Sequence, residues 1–103
     1  MDIVWSEFAE KQLDKIFNYY LTNIGEPTAK KIVLNILQNT EKLKQAQFIG
    51  QKEIFLEHRD VAYRYLISSN YKIIYSVDVA NNIVKIADIF DVRQNPIKIL
   101  RKK

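Results

Sequence analysis

The 103-residue chain has no cysteine, only two glycines and two prolines, and a single histidine, tryptophan and methionine. Without cysteine there can be no disulfide, no thiolate nucleophile and no thiolate metal site, and the default compartment is the cytoplasm. So few glycines and prolines, with no low-complexity tract and no internal repeat, exclude collagen-like, linker-rich and solenoid chains. Apolar runs extend for only a few residues, too short for a membrane helix. The opening Met1-Asp2-Ile3-Val4-Trp5 also lacks the basic start and apolar stretch of a secretory signal. Glycine-rich phosphate loops, metal-ligand spacings and Ser/His/Asp arrangements are missing too, so neither a cofactor nor a metal is expected.

What is present is apolar material, at 48% of the chain, enough for one domain over residues 1–103 with a modest core. The net charge of +4 is unevenly placed. From Asp91 to Lys103, Asp91 stands alone against Arg93, Lys98, Arg101, Lys102 and Lys103, while the other eleven cations are matched by eleven acids. A localised basic patch of this kind suits nucleic acid or an acidic protein partner; its bland alternative is a solvated, frayed terminus.

Asp2 to Trp5 reads as a short strand, and Ser6 as the N-cap of a helix whose apolar positions Ala9, Leu13, Ile16, Phe17, Tyr20 and Ile24 recur every three or four residues. Gly25 and Pro27 stop that helix and start a second, with Ala29, Ile32, Val33, Ile36, Leu37 and Leu43 as its stripe. Periodicity is lost between Gln45 and Asp60, where Ile54 to Leu56 is a candidate short strand. Ala62 to Val77 then forms a β-hairpin around Ser68-Ser69-Asn70. A turn at Val77 to Asn82 follows, then Ile83 to Phe90 as a strand apolar enough to lie centrally in a sheet, and Ile97 to Leu100 as a last helical turn. The expected fold is α+β: a short N-terminal strand and an antiparallel helical hairpin packed on a small, mainly antiparallel sheet, in the order β-α-α-β-β-β.

Arg64 and Lys72 interrupt the hairpin, and cations inside strands point either to a solvated face or to a polyanionic partner. Tyr63 and Tyr65 fall on one face with Arg64 and Leu66 on the other. Four tyrosines in the hairpin, Tyr63, Tyr65, Tyr71 and Tyr75, could stack on unpaired bases, although packing of at least one pair against the helices explains them as well.

Tyr63-Arg64-Tyr65-Leu66 and Asn70-Tyr71-Lys72-Ile73-Ile74-Tyr75, set after two amphipathic helices and before Asp91-Val92-Arg93-Gln94-Asn95-Pro96, resemble the RelE/ParE superfamily of toxins from type II toxin-antitoxin pairs. The resemblance covers nearly the whole chain. It implies a cytoplasmic toxin silenced by a cognate antitoxin, with DNA contacted only indirectly through that antitoxin. It leaves two activities open. RelE-like members enter the ribosome and cut mRNA as metal-independent endoribonucleases, whereas ParE-like members block DNA gyrase and are not enzymes. A non-toxic family member that keeps only antitoxin binding is the alternative.

RNA cleavage through the 2′-hydroxyl needs a base, an acid and charge stabilisation of the transition state. Arg64, Arg93 and Lys52 are the candidates for charge stabilisation, because guanidinium and ammonium groups match phosphate oxygens. Arg59, Lys72, Lys98 and Arg101 are candidates for nucleic-acid or target binding. The acid and base are harder to place. His58 sits in the mixed-charge run Glu57-His58-Arg59-Asp60, a surface signature. Asp91 stands near the end of the last strand, where many family members carry histidine, and no aromatic residue or histidine follows Phe90.

Overall fold

The computed structural model describes residues 1–101; Lys102 and Lys103 of the basic tail lie outside the described residues. The elements are β1 (Asp2–Trp5), α1 (Glu7–Asn23), α2 (Glu26–Glu41), β2 (Gln51–Lys52), β3 (Tyr63–Ser68), β4 (Tyr71–Asp78) and β5 (Ile83–Asp91). Short 3₁₀ turns occupy Lys42–Lys44, Ile54–Leu56 and Pro96–Leu100. The α+β architecture, the helical hairpin and the closing turn are those expected from the sequence.

Local chemistry sets the boundaries. The Ser6 hydroxyl accepts from the Ala9 N–H at 3.0 Å, and Glu7 and Glu10 place negative charge in the first turn of α1. The helix ends where Ile24 and Gly25 both donate to the Tyr20 carbonyl, and Gly25, at φ 142°, adopts a backbone that side chains disfavour. Pro27 then sits in the first turn of α2. Leu43 falls in the following 3₁₀ turn rather than in α2, yet remains fully buried.

The five strands run in the order β1-β5-β4-β3-β2. The sheet is antiparallel except for β1, which lies parallel to β5 with Asp2 opposite Ile83. β5 is therefore internal, as its apolar run requires. In β4–β5 the register passes from Tyr75↔Ile86 to Ile74↔Asp88 and leaves Ala87 as a bulge. The bulge reverses the parity of β5, so that Val84, Ile86 and Ile89 all join the core under the helices while Phe90 joins a second cluster.

Gln45 to Asp60 departs from the sequence reading. Ile54–Leu56 is a 3₁₀ turn, not a strand, because the Glu53 carboxylate caps the Phe55 N–H and folds the chain over. The strand there is the two-residue β2, which the sequence did not indicate. Tyr71 and Tyr75 are the tyrosine pair that packs on the helix side, whereas Tyr63 and Tyr65 pack on the other side with Leu56, Ile74, Phe90 and Ile99.

Candidate target-binding site

The cations singled out from the sequence fall in three places. At one edge of the sheet, Lys52 and Arg64 are cross-strand neighbours, so their side chains share a side. Lys52 is exposed. Arg64 is engaged: its Nη1 donates to the carbonyls of Gly50 at 2.8 Å and Phe48 at 3.4 Å, and its guanidinium lies 5.3 Å from the Phe48 ring centre. The same loop is held from below by the Gly50 N–H, which donates to the Tyr75 hydroxyl at 2.9 Å. A Cβ on Gly50 would come within 2.5 Å of that oxygen, so only glycine fits this close approach.

At the end of β5, Arg93 grips Asp91, its Nε reaching Oδ1 at 2.9 Å and its Nη2 reaching Oδ2 at 2.8 Å. This fork lowers the Asp91 pKa and raises that of Arg93. Nearby, the Tyr71 hydroxyl donates to that of Tyr20 at 3.3 Å. Burial first, and then the Tyr20 bond, push the Tyr71 phenol well above its ordinary value. Asp91 pairs with Tyr71, and Arg64 with Tyr75. Arg93 and Arg64 are thus anchored four residues apart along β4, about 13 Å at the usual strand rise.

The third group is on the far side of the sheet. Lys72 donates to the buried Glu53 carboxylate at 2.9 Å and covers the Tyr65 ring at 4.2 Å. Arg101 pairs with the fully buried Asp88 at 3.0 Å and lies against the rings of Phe8 and Phe90. Arg59 donates to the Leu100 carbonyl at 3.0 Å, while Lys98 is exposed. The structure therefore sets Lys52 beside Arg64 and Arg59 beside the turn that carries Lys98 and Arg101, and leaves Arg93, Lys72 and Arg101 each bound to its own carboxylate. His58 is exposed, as a surface residue should be.

The sequence reading passed over Gln12, Lys15 and Tyr19, which line a cleft of about 400 Å³ beside Tyr71, Asp91 and Arg93. Their spacing of three and four residues, a polar line alongside the α1 stripe, was the available signal. It also passed over Glu53 and Asp88, whose burial depends on partners distant in sequence. Among the described residues, no group of histidine and acidic side chains could hold a metal ion. None of their helices is long and apolar enough to cross a membrane.

A helical hairpin on a five-stranded sheet, with a bulge between β4 and β5, agrees with the resemblance of the sequence to the RelE/ParE toxins. The family model described as the ParE toxin of the type II toxin-antitoxin system, parDE, matches residues 3–96, and the chain belongs to that family. Among solved structures it is similar to a chain of the chromosomal ParDE toxin-antitoxin system from P. aeruginosa, with a TM-score of 0.73 and 23% identity over 89% of this chain and 96% of that one. No curated protein matches the sequence.

Proposed function

We propose that this chain, once free of a cognate antitoxin, arrests growth by binding and blocking DNA gyrase in the cytoplasm, and that it does not cut mRNA. The observation that carries the reading is the state of its cations. Of the three residues suited to stabilising a phosphate transition state, Arg64 is committed to two backbone carbonyls and Arg93 to both oxygens of Asp91, leaving Lys52 alone in solvent. His58 lies in a separate exposed segment, and Asp91, the carboxylate beside Arg93, is bound by it and held below its ordinary pKa, which makes it a weak base. A protein target needs neither acid nor base. In this reading Lys52, Arg59 and Lys98 touch the target, while Arg64 and Arg93 hold the loop and the strand end in shape. DNA is then met only through the gyrase complex or the antitoxin.

The neighbouring placement of Lys52 and Arg64 favours mRNA cleavage as the second reading, which requires Arg64 to leave the Gly50 carbonyl. Two assays on the purified chain decide between them: supercoiling by gyrase, and new 5′ ends on ribosome-bound mRNA. Loss of supercoiling with intact mRNA is expected. New mRNA ends with unaffected supercoiling would overturn the gyrase reading, and activity in neither assay with unhindered growth on induction would leave an antitoxin-binding domain without toxicity.

A further inference from the structure

The cleft between α1 and the end of β5 has an unequal set of hydrogen-bonding groups. Lys15 forms no ion pair, and the side-chain amides of Gln12 and Gln94 no hydrogen bond, among the described residues. The buried hydroxyls of Tyr20 and Tyr71 carry two hydrogens, their mutual bond uses one, and the other has no acceptor among the described residues. The carboxylate in the cleft is already engaged, because both Asp91 oxygens accept from Arg93. The Lys15 charge is thus open and the only anion lining the cleft is paired, with one net positive charge from Lys15, Arg93 and Asp91 together. Ile16 and Ile89 supply apolar walls. A complementary group carries a single negative charge, oxygens that accept from Lys15 and the amide N–H groups, and a short hydrocarbon stem.

We propose that this cleft is an anchor site for one acidic side chain, a glutamate or aspartate, of the protein target; the assignment to a protein rests on the gyrase reading above. Lys15 would supply the countercharge, the two amides the neutral hydrogen bonds, and Tyr19 an exposed ring at the rim. The volume lies at the lower end of the range for ligand pockets, with room for a carboxylate side chain and part of its flanking backbone. Nucleic acid fits less well. Proteins that track a phosphate backbone line up several cations, and the next candidate on this side, Arg64, lies about 13 Å further along the strand direction and is held by carbonyls. A phosphate monoester, with its second charge, would also meet Asp91.

The test is an NMR titration of the labelled chain with N-acetyl-glutamate methylamide, its glutamine counterpart and dimethyl phosphate. Shifts confined to Gln12, Lys15, Tyr19, Tyr71 and Gln94 are expected with the glutamate probe. Affinity for the glutamine probe should be weaker by on the order of 10-fold, as loss of one charge-assisted bond implies, and the response should vanish in Lys15→Glu. Equal response to both amides, preference for dimethyl phosphate, or no response at all overturns the proposal. Gyrase binding by the same variant supplies the second readout. A wild-type chain that binds gyrase and a folded Lys15→Glu chain that binds it equally well would also overturn the anchor. A wild-type chain that does not bind gyrase overturns the gyrase reading alone, since the titration still decides the cleft.

Discussion

The two faces of the sheet are held by different physics. Beneath the helices, Ile73, Tyr75, Val84, Ile86 and Ile89 meet Ile36 and Leu43 in an apolar layer whose polar groups are few and paired. On the opposite face the cluster is smaller, Leu56, Ile74, Phe90 and Ile99, and two buried carboxylates lie on that side, Glu53 under Lys72 and Asp88 under Arg101. The helix layer gains stability from area removed from water, an effect indifferent to charge. The other face depends on ion pairs whose worth comes from geometry, because removing one partner leaves a charge in a poor solvent. The cations that made the sequence look like a phosphate-binding protein serve in good part to close this second face.

The contrast can be broken most forcefully from the helix side. Ile73→Ala, at a fully buried position in mid-sheet, should lower stability by about 3–4 kcal/mol with little dependence on salt, measured by urea unfolding. On the other face, Lys72→Met should lower it by about 2–3 kcal/mol, since it strips the cation from Glu53, whose side chain is wholly buried. Adding Glu53→Leu to that variant should recover most of the loss. If the double variant is as unstable as the single, the pair is not what matters there.

Smaller effects mark the rim between the faces. Tyr71→Phe should lower stability by about 1 kcal/mol near neutral pH, the worth of one buried hydrogen bond. It should also flatten the alkaline limb. The wild-type phenol is raised in the folded protein, so its contribution is complete below its ordinary value near pH 10 and is lost as pH climbs beyond it. Melting curves from pH 8 to pH 11 check this through the difference in slope. Asp91→Asn should have the smallest effect, less than about 1 kcal/mol, because the Arg93 pair is largely exposed. Here the sign is reversed. A lowered carboxylate stabilises above its ordinary value and loses that contribution as pH falls through the folded value, so the gap between wild type and variant should close in acid.

Much of the fold was legible because its elements obey strong periods. Ala9 to Ile24 and Ala29 to Leu37 repeat at helical spacing, and Ser6, Gly25 and Pro27 mark their ends. Tyr63 to Asp78 alternates around a two-residue connection, with Ser69 in the left-handed region. β2 was illegible since Gln51-Lys52 contains no strand former and pairs only because β3 offers it an edge. Ile54 to Leu56 misled because a short apolar run suits either state, and the buried Glu53 decided between them. The site was less legible than the fold. A sequence shows that Arg64 is a cation, but not that carbonyls fourteen residues earlier face it. The acid two residues before Arg93 was visible, yet its fork with the guanidinium depends on the turn that brings them face to face.

The parallel pairing of β1 with β5 carries a consequence for the life of the molecule during its synthesis. Ser6, just past the first strand, bonds to Ala87, 81 residues later, so β1 has no strand partner until β5 has been made. A nascent chain that stops before Ile83 holds two helices over a sheet lacking its internal strand, and the loop that must close is nearly as long as the protein. The Asp91–Arg93 side of the cleft is thus made only after β5, long after the α1 side that it faces.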